Sequence, residues 1–199
     1  MYEWRKMSDE ERWETIKIRR QRHFPHHAPP KSACRLGFFI INTACFEHRH
    51  VMDTLKRRKQ FAEQLIAHME PVSERIHAWV VLPNHYHIMV DINRSIQLRS
   101  FMGKLHGRMS YLWNLEDALQ GRKVFFYSME RPVGSKAHYF TALNYIHNNP
   151  VKHGYCRRWN KWETSSFHEF LGEVGRDRAI EIWRSYPVRD YGEELEGGL

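Results

Sequence analysis

The sequence predicts an α+β fold, a ferredoxin-like antiparallel sheet with helices packed on one face. Two observations carry this expectation. Short β-branched and aromatic runs meet across a tight turn at Pro83 and Asn84, as in an antiparallel hairpin, and long helical stretches separate the other runs, as crossovers do.

The elements follow in order. Ser8 to Arg22 reads as a charged helix with Ser8 as cap, Glu10 and Glu11 in the first turn and Arg19, Arg20 and Arg22 in the last. The stretch His23 to Lys31 holds Pro25, Pro29 and Pro30, so it cannot continue that helix and reads as a linker. Gly37 to Cys45 is a strand, Val51 to Met69 a helix, Arg75 to Leu82 a second strand, and His85 to Ile92 a third. Ser95 caps the next helix, whose apolar positions Leu98, Phe101, Met102, Leu105, Met109 and Leu112 repeat at the helical period. Lys123 to Met129 reads as a fourth strand. Ser135 to Asn149 reads as a helix that Pro150 ends. A short helical pattern around Ala179 to Ser185 precedes an acidic tail expected to be disordered. The expected organisation is therefore a basic helical extension and linker over residues 1–34, one domain over 35–170, and a short helix with tail over 171–199.

Composition narrows the function classes. The chain has 199 residues, room for one ordinary domain, and 31 Lys and Arg against 23 Asp and Glu give a net charge of +8, which favours a polyanionic partner. Three cysteines at no repeating spacing suggest no disulfide framework, and no apolar run is long enough to span a bilayer, so a cytoplasmic protein without a membrane partner is expected.

The chemistry-bearing residues fall in two places. Along His85-Tyr86-His87-Ile88-Met89-Val90-Asp91-Ile92 the strand period puts Tyr86, Ile88, Val90 and Ile92 on one face and both histidines on the other. Two imidazoles at i and i+2 can chelate one cation, although a chain with 14 histidines also yields such pairs for packing alone. At the end of the last helix, Tyr145 and Asn149 stand at i and i+4 on one face, which would bring a phenol and a carboxamide oxygen to the same metal; packing of Tyr145 and helix capping by Asn149 is the other reading. Cys45, His48 and His50 match no zinc-finger spacing.

Taken together, Leu82-Pro83-Asn84-His85-Tyr86-His87-Ile88-Met89-Val90, Tyr145-Ile146-His147-Asn148-Asn149-Pro150-Val151-Lys152-His153-Gly154, and Trp162 followed by Ser165, Ser166 and Phe167 resemble the single-tyrosine HUH transposases, specifically the REP-associated tyrosine transposases of bacteria. The resemblance covers roughly Arg35 to Phe170. It implies the HUH endonuclease fold and a divalent ion, Mg or Mn, held by His85, His87 and Asn149. It also implies single-strand DNA cleavage and strand transfer through a 5′-phosphotyrosine on Tyr145, a substrate of REP-like palindromic hairpin or single-stranded DNA, and a bacterial, nucleoid-associated location. The family includes monomers and dimers, so the oligomeric state stays open. A non-catalytic protein that binds DNA hairpins is the alternative. Lys104 and Arg108, Arg122 and Lys123, and Arg157 and Arg158 are the candidate DNA contacts, against a reading as solvated faces; Trp159 and Trp162 are candidate base platforms.

Overall fold

A computed structural model describes residues 37–92 and 97–192, together with Ser8 and Glu10. The amino-terminal helix and proline linker of the sequence reading, the Ser95 cap and the acidic end of the tail lie outside the described residues.

A four-stranded, wholly antiparallel sheet forms in the order β2-β3-β1-β4. The strands are β1 (Gly37–Ala44), β2 (Ser73–Val81), β3 (His85–Ile92) and β4 (Met129–Pro132). Helix α1 (Leu55–Met69) follows β1 and helix α2 (Leu98–Glu116) follows β3; α3 (Lys136–Lys152), α4 (Phe167–Val174) and α5 (Arg176–Ser185) complete the chain. The α+β class and antiparallel sheet are as the sequence predicts.

The helices do not pack on one face. Tyr86, Ile88, Val90 and Ile92 of β3 join Phe61 and Leu65 of α1 and Met102, Leu105 and Met109 of α2 in one core. Ile40, Val80 and Met89 point the other way and join Leu143, Tyr145 and Ile146 of α3, Phe170 of α4 and Ile182 of α5 in a second. The histidine face of β3 looks polar in sequence, which hides the helical layer that covers it. Helix α3 lies between the sheet and the carboxyl-terminal helices, so residues on nearly all its sides are buried.

Three local differences have physical reasons. The fourth strand is Met129–Pro132, not 123–129: Val124, Phe125 and Phe126 bury their side chains from a loop tied to the end of β1 and the turn after it by single backbone bonds, Phe126 N to Ala44 O and Phe46 N to Val124 O. Pro132 fits β4 because β4 is an edge strand, where one side of the backbone needs no ladder partner. On α2 the apolar stripe ends in buried Trp113, while Leu112 is exposed. Helix α3 runs through Pro150 into Lys152. The proline sits in the last turn, and beyond it the chain closes by His153 N to Asn149 O at 3.0 Å and Tyr155 N to Pro150 O at 2.9 Å. Two helix starts are capped by hydroxyls: Thr54 accepts from Arg57 N and Ser135 from His138 N.

The Trp162-to-Ser166 segment closes the free edge of β2. Val81 N donates to Thr164 O, Ser166 N donates to Trp79 O, and Trp79 N donates to Ser166 Oγ. Trp162 donates its indole N–H to Val81 O at 3.0 Å and is buried, so it is a core residue and no base platform.

Candidate metal and nucleophile site

The pairing of β1 with β3 sets Asn42 opposite His87 and Ala44 opposite His85. Both histidines therefore leave the sheet on the face that α3 covers. Their rings stand edge to face with centroids 5.0 Å apart. Tyr145 and Asn149, one helical turn apart on α3, look down on them: the His87 and Tyr145 ring centroids are 5.1 Å apart, and Asn149 Oδ1 lies 2.9 Å from His85 Nε2. The four residues expected from sequence to form the site do come together, and all four are buried.

The imidazoles are oriented from behind. Asn42 Oδ1 lies 2.7 Å from His87 Nδ1, and Asn84 Oδ1 lies 2.8 Å from His85 Nδ1. A carboxamide oxygen only accepts, so His87 donates from Nδ1 and turns its Nε2 to the site, whereas His85 faces a carboxamide oxygen with both ring nitrogens. Such partners fix tautomer and ring angle at metal sites.

This donor set fits a divalent cation. His85 Nε2 and Asn149 Oδ1 lie 2.9 Å apart, close enough that one cation could take the place of the proton between them. Asn149 Nδ2 is buried and has no hydrogen-bond partner among the described residues, so the amide is not held by donating elsewhere. His153, exposed on the turn after α3, brings its ring to 4.8 Å from that of His85.

Tyr145 has no exposed surface. Tyr191 covers it, with ring centroids 5.4 Å apart, and the Gly192 backbone lies against its ring edge so closely that a Cβ there would collide with it. Lys152 places its ammonium 5.6 Å from the Tyr145 ring centroid. His147 is on the other side of α3, fully buried against Phe167 and Phe170 and 3.1 Å from Ser166 Oγ; burial pushes it down to about 3, so it serves as a neutral core group.

The candidate DNA contacts do not gather at this site. Lys104 and Arg108 are exposed on α2, which covers the opposite face of the sheet, and Arg108 donates to Gln64. Arg122 donates to Asp117 at 2.7 Å and to Asn114 at 2.9 Å, holding the loop after α2. Lys123 is exposed beside aromatic rings on that same face, while Arg157 and Arg158 are exposed before the 3-10 turn Trp159–Lys161. Arg57 and Lys59 are paired with Asp117 and Glu163. Cys45 lies in the first core, its thiol pushed up to about 12 by burial, and among the described residues no group of three His, Cys, Asp or Glu side chains is placed to hold a metal ion without other ligands. Sequence reasoning missed Asn42, Asn84, Lys152, His153 and the Tyr191-Gly192 cover. Only Asn84 and the Lys152-His153 pair carried a signal, their place inside the quoted motifs.

Comparison with known proteins agrees with the sequence resemblance. Over 121 residues the chain is 27% identical to the REP-associated tyrosine transposase of Escherichia coli (strain K12), a match covering 60% of this chain and 62% of that relative. The chain thus spans less than two thirds of the relative's length. The fold matches the solved structure of a REP-associated tyrosine transposase bound to a REP hairpin with a TM-score of 0.59 and 18% identity, over 73% of this chain and 86% of that one. No protein-family profile matches the chain.

Proposed function

We propose that the chain is a metal-dependent single-stranded DNA endonuclease and strand transferase acting on REP-like palindromic hairpins, with Tyr145 as nucleophile. The observation that carries the reading is convergence: His85 and His87 from β3 and Tyr145 and Asn149 from α3 share one buried site, with their rings and polar atoms in contact.

His85, His87 and Asn149 would hold Mg or Mn. When bound, such an ion withdraws charge from the scissile phosphate and so compensates for the phenol, a weak nucleophile at neutral pH. All three donors are neutral, so the DNA phosphate supplies the negative charge of the assembly, and Lys152 adds a second cation beside Tyr145. Attack by the Tyr145 oxygen on phosphorus forms the 5′-phosphotyrosine bond and breaks the bond to the 3′ oxygen. That oxygen leaves as a 3′-hydroxyl by taking up a proton from solvent, while the phenol releases one to solvent, so no net proton is gained or lost. The ester keeps the phosphodiester energy for rejoining to another strand.

A second reading has one observation in its favour: Tyr145 is wholly covered by Tyr191 and Gly192, which suits a protein that binds hairpins without cutting them. Strand scission separates the two. A labelled single-stranded hairpin incubated with the protein and Mg or Mn should be cut, and chelator should stop the cutting; binding without scission at any metal concentration would favour the second reading. Among the described residues no helix is long and apolar enough to cross a membrane. A cytoplasmic, nucleoid-associated location follows from the proposed substrate.

A further inference from the structure

On the sheet face opposite the histidines, α2 and the loop 122–128 line an open groove of about 320 Å³. Arg99, Gly103, Gly107, Lys123, Phe126 and Tyr127 line it, and none of its lining residues is acidic. Its cations lie on rings. The Arg99 guanidinium carbon is 4.2 Å from the centroid of Tyr127, which is half exposed, and Lys123 Nζ is 4.6 Å from that of Phe46 and 5.0 Å from that of Phe126. Among the described residues neither cation has a carboxylate partner, in contrast to Arg122 on the cavity's rim, which is paired with Asp117.

The floor is unusual for a helix. Gly103 and Gly107 stand one turn apart within α2, although only proline is a poorer helix former. Apart from the chain neighbours and the helix's own backbone, no atom lies within 4 Å of where either Cβ would be, so no packing against other parts of the fold requires glycine there. What the two residues provide is room for something to approach the helix backbone. The cavity also adjoins the candidate active site through β1. Thr43 bonds Ser128 of the cavity wall at 2.9 Å on one face, while its neighbour Asn42 bonds His87 on the other. On the side of β1 away from β3, the short edge strand β4 pairs with Phe39 to Asn42.

We propose that this cavity is a second nucleic-acid subsite that holds an unpaired nucleotide, its base stacked on the Arg99–Tyr127 pair and its phosphate at Lys123. Stacking on tyrosine and guanidinium planes with cations along the backbone is how single strands are bound, and an acid-free, ring-lined groove floored by glycine supplies each part. The inference rests on the nuclease reading only in taking the single strand to be one that continues from the cleaved DNA.

The test uses the full chain in chelator, where no cleavage occurs. A fluorescent single-stranded oligonucleotide and a blunt hairpin without flanks are titrated by anisotropy at several salt concentrations. Tyr127→Ala should weaken single-strand binding by about fivefold or more. Arg99→Ala with Lys123→Ala should flatten the slope of log affinity against log salt by about 1.4. Gly107→Leu should fill the groove and abolish the single-strand increment while the thermal midpoint holds or rises and blunt-hairpin affinity stays unchanged. Single-strand affinity unaltered in Gly107→Leu and Tyr127→Ala overturns the subsite, as does equal competition by polyglutamate. Tyr145→Phe should bind the single strand as the unaltered protein does. In a separate incubation with manganese in place of chelator, absence of covalent adduct in the unaltered protein would count against the catalytic reading alone.

Discussion

His85 Nε2 lies 2.9 Å from the side-chain oxygen of Asn149, a contact that joins β3 to α3 across 64 residues of sequence. Two imidazoles and a carboxamide make a softer set than the all-oxygen donors magnesium prefers, so manganese should bind more tightly than magnesium. Calorimetric titration of the protein with each chloride salt measures this directly. Asn149→Ala should weaken manganese binding, and magnesium binding more tightly than manganese would contradict the ligand set.

Asn42 is a positioning residue, since it acts through His87. Asn42→Ala removes the acceptor for His87 Nδ1–H and should cost about 10- to 100-fold in metal affinity. Asn42→Asp keeps an acceptor and should retain most of it. Equal losses in both variants, with the fold intact by circular dichroism, would show that the orientation of His87 is immaterial.

Access to Tyr145 requires the Tyr191-Gly192 segment to move. Gly192 has φ +99°, a backbone conformation that L side chains rarely adopt, and any side chain there strikes the Tyr145 ring. Gly192→Val should therefore displace the segment and speed strand scission, by a factor up to the inverse of the open fraction in the unaltered protein. Slower scission in Gly192→Val, with unchanged thermal stability, would mean that the segment helps to build the site.

His106 is buried in the first core, where its Nε2 accepts from the Tyr86 hydroxyl at 2.8 Å, and burial pushes it down to about 3. An unfolded histidine titrates near 6.5, so below that pH the unfolded chain binds a proton that the folded chain refuses. Stability is full above pH 6.5 and falls as pH drops toward 3, by up to about 1.4 kcal/mol per pH unit from this residue. Urea midpoints between pH 7 and 5 should decline less steeply in His106→Gln; an unchanged decline would contradict a neutral buried His106.

The site's four central residues were legible because each rests on a local rule: alternation along β3 puts His85 and His87 on one face, and the helical period puts Tyr145 and Asn149 on one face of α3. What surrounds them depends on pairing between distant segments. Asn42 supports His87 only through the β1–β3 register, and Tyr191 reaches Tyr145 only because α5 turns the chain back over α3. The misplaced fourth strand has a similar origin. Val124, Phe125 and Phe126 have strand-like composition but are buried through loop contacts, whereas Glu130, Arg131 and Pro132 pair at an edge where hydrophobicity is not required. The clusters of Lys and Arg were visible as charge, and only coordinates separate Arg122, held by Asp117, from Lys123, held by rings.

The central claim is that Tyr145 becomes covalently joined to DNA. Labelled single-stranded hairpin oligonucleotides incubated with the protein and manganese, then run on a denaturing gel, should give a slow, protease-sensitive band that disappears with chelator and in Tyr145→Phe, while the variant still binds the hairpin. A covalent band that persists in Tyr145→Phe would contradict the assignment of the nucleophile.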